Sequence, residues 1–163
     1  MSPFDAAYLA GFLDGDGSIH FQFVRQNEYK FGFYIRASMS LTQCTEARFG
    51  LERLQESIGA GYIRDRGTGM SDLIITSRPV LMEVLRAVEP YVIFKREHVR
   101  EALRLLPLIK PRMPQDEFLQ VVREVDRFSS LNHSKTKRIT ATDVEQHLCG
   151  MGASIPVTTS SRS

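Results

Sequence analysis

The sequence predicts an α+β domain in which helices cover one face of a four-stranded antiparallel sheet. Apolar residues alternate with polar ones in four segments that pair into two hairpins, and they recur at helical spacing elsewhere. Each predicted strand has one apolar and one polar side, so every helix must pack on the same side of the sheet. The other side should stay open. At 163 residues the chain is long enough for one domain with a substantial core.

The first helix has a clear beginning and end. Ser2 can cap it, Pro3 suits its first turn, and Asp5 complements the positive end of the helix dipole. The glycines that follow Asp14 predict that it ends there.

Two hairpins follow, separated by a helix. The first pairs a strand over 18–24 with a long strand over 31–42, whose apolar face begins at Phe31. A helix then opens at Thr45 and stops at Gly59. The second hairpin is shorter, and its strands are joined by a glycine turn at 67–69.

The remaining sequence is helical, with a polar tail. Helices are predicted over 77–88, 95–106, 114–128 and 140–148. The domain is therefore expected to cover 1–150. Residues 151–163, rich in serine and threonine, are expected to form a disordered tail.

Composition places limits on the function but does not reveal it. The net charge is only +2, so overall charge alone does not indicate a nucleic-acid partner. Cys44 and Cys149 match no metal-binding spacing and are expected to be free thiols in a reducing compartment. No apolar run has the length of a membrane span, and neither a secretory signal nor a transit peptide is evident. This fits synthesis in a chloroplast, a mitochondrion or a prokaryotic cytoplasm.

The open face of the predicted sheet carries side chains of the types that can pair with DNA bases. Arginine and glutamine pair bidentately with guanine and adenine edges in the major groove, and a two-stranded ribbon can enter that groove. A solvated outer face is the alternative. The concentration of arginine, glutamine and tyrosine on one face favours a nucleic-acid partner. The residues of this face are Gln22, Tyr34, Arg36, Arg64 and Arg66, and Lys30 lies near a strand end.

A second basic segment lies between two predicted helices. Residues 132–138 contain lysine, arginine, serine and threonine without an acid. These side chains commonly contact phosphates. The segment therefore predicts a phosphate contact, with a solvated connection as the alternative.

The run from Tyr8 to Ser18 is the most informative motif. Small residues such as Ala10 and Gly11 allow a second backbone to approach the helix closely, and two acids separated by a glycine follow. If the second backbone belongs to another copy, two carboxylates meet at a symmetry axis, where a divalent cation offsets their repulsion. An Asp-Gly pair taken alone is more often simply a turn.

The longer string L-A-G-F-L-D-G-D-G, residues 9–17, resembles the signature of the LAGLIDADG homing endonucleases. The resemblance extends to about Leu148 and is strongest to the single-motif, homodimeric branch found in chloroplast ribosomal RNA introns. It implies an αββαββα fold whose sheets form a saddle over DNA. Because the chain has one motif copy, it implies a homodimer whose motif helices meet through Leu9, Ala10, Phe12 and Leu13.

The resemblance also implies the catalytic groups. Asp16, with the Gly15 carbonyl nearby, would bind Mg²⁺, and Mn²⁺ would substitute. Gln43 and Lys95 match positions that order water around the scissile phosphate. One member of the family has an arginine where Ala47 stands, and the neighbouring Arg48 is a candidate for that role, although one residue along a helix is a rotation of about 100°.

The matching strand positions imply a long set of DNA contacts and a pseudo-palindromic target. These contacts are His20, Gln22, Val24, Gln26, Glu28, Lys30, Tyr34, Arg36, Ser38, Ser40, Arg64, Arg66, Thr68, Asp72 and Ile74, with Ser134, Lys135, Thr136, Lys137 and Arg138 on phosphates.

The leading hypothesis is a metal-dependent endonuclease that cuts double-stranded DNA at the site of its own intron. The alternatives are an RNA-binding maturase, a DNA-binding regulator without cleavage, and a small α+β binding domain with an incidental motif. An intact Asp16 favours the endonuclease, because degenerate members often lose the metal-binding acid.

Overall fold

The computed structural model of the chain describes residues 1–132 and 139–152, with side chains to Gly150. Its four antiparallel strands form one sheet in the order β1-β2-β4-β3. The strands are β1 (Gly17–Arg25), β2 (Phe33–Cys44), β3 (Tyr62–Asp65) and β4 (Met70–Ile75).

Helices pack against one face of this sheet. The core order α1-β1-β2-α2-β3-β4-α3 confirms the predicted αββαββα arrangement, and helices α4 to α6 complete the layer. The helices are α1 (Pro3–Asp16), α2 (Arg48–Ile58), α3 (Arg78–Val88), α4 (Arg96–Leu105), α5 (Gln115–Phe128) and α6 (Ala141–Gly152). Within the described residues, none of these helices combines the length and apolarity that crossing a membrane requires.

The strand register gives the sheet two different ends. At one end Gly17, the first residue of β1, lies opposite Leu41 of β2. Strand β4 pairs with β2 only from Met39 to Cys44. The first half of β2 therefore has β1 on one side and no described strand on the other.

The core lies between the sheet and the helices. Alternate residues of β1 and β2 point into it, and α1 places one face against the same layer. Residues with no exposed surface include Leu9, Leu13, Ile19, Met39 and Leu41. Burial of a side chain of this size stabilises the fold by roughly 1.5–3 kcal/mol.

Helix α1 begins as predicted and ends two residues later than predicted. Ser2 and Asp5 form a reciprocal capping box. The helix continues through Gly15 to Asp16, and the Gly17 N–H donates to the Leu13 carbonyl. A Cβ on Gly17 would lie 2.6–2.8 Å from atoms of Leu13, so only glycine fits where the helix turns directly into β1.

Other boundaries also differ slightly from the predictions. Strand β2 begins at Phe33 rather than Phe31, because Gly32 adopts a left-handed conformation with φ of 69° in the preceding turn. A short 3-10 turn precedes α2, and the fourth helix begins at Arg96 rather than Lys95. The last helix extends to Gly152. The predicted disordered tail lies outside the described residues from 153 onward.

We expect Gly17→Ala to lower the free energy of unfolding by about 1–3 kcal/mol, because the added methyl group must displace Leu13. Gly50→Ala is the control: it lies within α2, its added Cβ meets no described atom within 4 Å, and alanine favours a helix by up to about 1 kcal/mol. Chemical denaturation of both variants measures the difference. Equal stability of the two variants would contradict this account of the turn.

Candidate active site and nucleic-acid interface

The C-terminal end of α1 presents an exposed carboxylate. Asp16 is exposed, and within the described part of the chain no hydrogen bond or ion pair occupies its side chain. The last turn contains no basic residue, and its free carbonyls, including that of Gly15, form the negative end of the helix dipole. This end of the helix therefore favours a cation.

Asp14 fastens α1 to the segment before α4. Its carboxylate accepts the backbone N–H of Ile93 at 2.7 Å and of Lys95 at 2.9 Å. Burial raises the pKa of Asp14, but the backbone donors of Ile93, Lys95 and Phe94 outweigh it and hold the pKa below its ordinary value. Asp14 is therefore a structural anchor, not a free ligand.

This anchor brings the predicted catalytic lysine to the motif. The Lys95 ammonium donates to the Asp14 carbonyl at 2.6 Å, which places it beside the end of α1. Gln43 lies at the same end of the sheet, two residues beyond Leu41, the partner of Gly17. Its side-chain oxygen accepts the Cys44 N–H at 2.8 Å.

Arg48 is engaged elsewhere. Its guanidinium pairs with Glu52 at 3.0 Å and with Asp65 at 2.7 Å. It would have to leave both acids in order to reach a phosphate at the end of α1. Its predicted catalytic role stays a prediction.

The donor atoms at this end suit a hard divalent cation, but the described residues do not supply a complete site. Carboxylate and carbonyl oxygens are the ligands that Mg²⁺ and Ca²⁺ prefer. Among the described residues, no group of three or more histidine, cysteine, aspartate or glutamate side chains could hold a metal ion. The assignment of Asp16 and Gly15 to a metal site stays a prediction, and among the described residues it needs a further ligand from elsewhere.

Helix α1 has a second face that its own core leaves uncovered. Phe4 is 80% exposed and Tyr8 is 58% exposed. With Gly11 and Gly15, which are also exposed, they follow the spacing of a single helical stripe. Exposed apolar residues on such a scale mark a contact surface.

This arrangement corrects the predicted dimer contacts. Leu9, Ala10 and Leu13 have no exposed surface, because they fill the core beneath the sheet, so their assignment to the interface is wrong. Phe12 is partly buried against the same core. Ile93 and Phe94, which are 70% and 81% exposed, extend the uncovered apolar surface beyond the end of α1.

The outer face of the sheet places the predicted base-contacting residues in cross-strand pairs. Gln22 lies opposite Arg36, His20 opposite Ser38, and Val24 opposite Tyr34. The Arg36 guanidinium donates to the Gln22 side-chain oxygen at 2.5 Å. Both of these side chains are exposed, so they are available to a partner.

The inner part of this face, close to the motif, is a small hydroxyl network. Ser18 and Ser40 hydroxyls lie 2.9 Å apart, and the His20 ring nitrogen Nε2 lies 2.9 Å from the Ser18 hydroxyl. Burial lowers the pKa of His20, so the ring is neutral near pH 7.

Asp72 organises the arginines of the second hairpin. It lies opposite Arg64 in the register, and its side chain is only 1% exposed. Arg66 forms a bidentate pair with it at 2.5 and 2.6 Å, Arg64 donates at 3.0 Å, and the Thr42 hydroxyl donates at 2.7 Å. Asp72 thus holds two arginines in place, and its own predicted contact with DNA stays a prediction.

The remaining predicted contacts are spread around this face. Ile74, between Ser40 and Tyr62, is 8% exposed, whereas Thr68 is exposed in the β3–β4 turn. Gln26 donates to Glu28 at 3.3 Å in the β1–β2 turn, where Lys30 also lies. The predicted phosphate contacts Ser134, Lys135, Thr136, Lys137 and Arg138 lie outside the described residues.

The sequence interpretation missed two groups of residues. The α1 stripe could have been found from its spacing, because Phe4, Tyr8, Gly11 and Gly15 recur at four, three and four positions. Arg78 comes from one segment and Lys110 and Arg112 from another, and they line the same groove only in the fold. No local pattern indicates that meeting.

Comparison with known proteins agrees with this geometry. A family model described as LAGLIDADG endonuclease matches residues 9–96. DNA endonuclease I-CreI of Chlamydomonas reinhardtii is 37% identical over 138 residues, which cover 84% of each chain. The chain therefore belongs to the LAGLIDADG endonuclease family.

Solved structures show the same fold. One match is the crystal structure of the homing endonuclease I-CvuI of Chlorella vulgaris in complex with its target. Its TM-score is 0.84 at 27% identity, and the match covers 92% of this chain and 96% of that one. The archaeal intron-encoded endonuclease I-Vdi141I, complexed with DNA, matches with a TM-score of 0.80 at 15% identity over 92% of this chain and 98% of that one. The latter supports the fold alone.

We expect Asp72→Asn to destabilise the protein by about 2 kcal/mol near pH 7. Burial raises the pKa of Asp72, but Arg66, Thr42 and Arg64 outweigh it and lower the pKa to about 2. The charge therefore stabilises the fold above about pH 4, and this contribution is lost as the pH falls toward 2.

Unfolding measured as a function of pH tests this, with Glu56→Gln, an exposed acid of α2, as the control. The stability difference between wild type and Asp72→Asn should shrink below about pH 4. A difference that is constant from neutral to acid pH would rule out the charge as its source.

Proposed function

We propose that this protein is a homing endonuclease that makes a site-specific double-strand break in a long pseudo-palindromic DNA target by metal-dependent phosphodiester hydrolysis. The observation that carries the proposal is the exposed Asp16 at the end of α1, which has no hydrogen-bond or ion-pair partner among the described residues and lies next to an open sheet face of arginine and glutamine. The same helix presents an uncovered apolar stripe to a second copy. The similarity to DNA endonucleases supports the reaction.

In the proposed dimer, two α1 helices meet along Phe4, Tyr8, Gly11 and Gly15. The glycines let the two backbones approach closely, which brings the Asp16 carboxylate of each copy near the symmetry axis. The two sheets then extend in opposite directions over the duplex. Two identical half-sites follow from this symmetry, and so the target is pseudo-palindromic.

The reaction is proposed to take place where these carboxylates meet. Asp16 and the Gly15 carbonyl would hold the divalent cation, which supplies a Lewis acid that activates water and offsets charge at the scissile phosphate. Lys95, held beside the motif by Asp14, places a positive charge where negative charge develops on the phosphate oxygens. Gln43, at the same end of the sheet, can orient water through its amide.

The outer face supplies the specificity. Gln22 and Arg36 can pair with base edges in the major groove, as can Arg64 and Arg66. Because Asp72 already fixes these last two arginines, they lose little side-chain entropy on binding.

The cofactor is proposed to be Mg²⁺, with Mn²⁺ as a substitute. I-CvuI was crystallised with DNA in the presence of calcium and of magnesium, which supports a divalent cation. An organellar intron is the proposed origin, in a chloroplast or mitochondrion; the relatives from two algae support this, with a prokaryotic cytoplasm as the alternative.

We expect Asp16→Asn to bind DNA nearly as wild type and to lose cleavage by about a thousandfold or more, since several kcal/mol of charge stabilisation disappear. The measurement is a cleavage selection with Mg²⁺ on a library of pseudo-palindromic duplexes, followed by rates on the selected target. Asp116→Asn, an exposed acid at the start of α5, is the control and should cut normally.

Removal of the metal with EDTA should abolish cutting by wild type and leave binding. Cleavage by Asp16→Asn at the wild-type rate would exclude the proposed metal ligand. Binding without any cutting, with either Mg²⁺ or Mn²⁺, would indicate a regulator or a maturase, for which RNA binding is the next measurement.

We expect Gly11→Leu to leave the chain folded but monomeric. Its Cβ direction is open within one chain, whereas a large side chain there blocks close approach of a second helix. Light scattering after size exclusion gives the mass, and Gly50→Ala serves as the control. A variant that retains the mass of two chains would place the interface elsewhere.

A further inference from the structure

A groove lined by cations lies at the end of the sheet that is opposite the motif. A groove of about 680 Å³ runs along the free edge of β2, between that strand and residues 109–113. Its lining includes five cations and no acid among the described residues, and the cations are Lys30, Arg36, Arg78, Lys110 and Arg112. In a chain with a net charge of only +2, this is a marked local concentration of positive charge.

Most of these cations have no acidic partner within the described residues. Lys110 pairs with Glu117 at 2.7 Å. By contrast, the Lys30 ammonium lies 5.0 Å above the Phe31 ring, and Arg78 donates to the Ile109 carbonyl. Arg112 is exposed and forms no ion pair with a described residue. The positive charge of the groove is therefore largely uncompensated and favours an anion.

The groove is continuous with the proposed base-contacting face. Tyr34 and Arg36 belong to both, because they point to the outer side of β2. Phe33, Ile35 and Ala37 line the groove from the core side, so the groove wraps around the strand edge. Arg78 of α3 donates to the Ile109 carbonyl, which fastens the 109–113 segment at this groove, where Lys110 and Arg112 share the lining with Tyr34 and Arg36.

The position of the groove along β2 fits the outer part of a DNA half-site. Eight residues separate Phe33 at the groove from Leu41 opposite Gly17, a rise of about 26 Å. Duplex DNA advances about 3.4 Å per base pair, so the groove lies about 8 base pairs outward from the motif.

We propose that Lys110 and Arg112, with Lys30, form a clamp on the phosphate backbone of duplex DNA at the outer end of each half-site. The clamp would contribute affinity that is independent of sequence at the outer end of each half-site. This inference rests on the proposed function, because it takes the DNA to lie along the outer face.

The test is the double variant Lys110→Gln with Arg112→Gln, and the control is Arg53→Gln, an exposed arginine of α2 on the helical side. Binding to the selected target is measured in EDTA, so that no cutting occurs, over a series of salt concentrations. Two lost contacts in each of two copies should lower the slope of log Kd against log salt by about 3 to 4. Arg53→Gln should leave the slope unchanged.

Duplex length separates the clamp from a general charge effect. On a target of about 30 base pairs, the double variant should bind about tenfold more weakly than wild type. On a target trimmed to about 14 base pairs, the two proteins should bind with equal affinity, because the clamped phosphates are absent. The loss should be uniform across targets of different sequence, as expected for phosphate contacts. Thermal unfolding of the variant confirms that it is folded.

An unchanged salt slope, an equal loss on both duplexes, or a loss confined to particular base sequences would each overturn the clamp while leaving the endonuclease proposal intact. Failure of the wild-type protein to bind any duplex would instead overturn the proposed function, and the clamp with it.

Discussion

The close packing where α1 turns into β1 is the constraint on which the rest of the site depends. The helix reaches the edge of the sheet with no connecting loop, because Gly17 lies directly against Leu13. Leu13 is in turn fully buried, so the turn is fixed to the core. The carboxylate of Asp16 therefore emerges at a defined point between the helix layer and the outer face of the sheet. A flexible connection of even a few residues would leave its position undefined.

The two acids of the motif have opposite environments although only a glycine separates them. Asp14 is turned back into the protein and bound by backbone donors, so its charge is satisfied within the chain. Asp16 is turned out and has no partner among the described residues. One acid thus holds the site together, and in doing so it positions Lys95, while the other is available for chemistry. The difference comes from their positions on the last helical turn.

The charges of the protein are separated over its surface. The exposed carboxylate of Asp16 lies at the end of α1, whereas cations occupy the outer face and the far end of β2. A net charge of +2 conceals this separation, since acids on the helical side offset the cations elsewhere. Several arginines of that side, such as Arg104 and Arg123, are paired with glutamates. On the sheet, Arg64 and Arg66 share the single acid Asp72, and Arg36 donates to the neutral Gln22, so positive charge remains on this face.

Local patterns in the sequence were sufficient to predict the order of helices and strands, the sheet with one apolar face, and the motif at residues 9–17. Periodicity and helix capping depend on residues that are close in sequence. The alternation in β1 and β2 and the capping signal of Ser2 can therefore be recognised without knowledge of the fold. What tertiary structure alone decided was the environment of each side chain. It placed Leu9, Ala10 and Leu13 in the core and Asp72 beneath two arginines, and it brought Lys110 and Arg112 to the edge of β2. Burial and contacts between distant segments depend on how the elements pack, and no local spacing encodes them.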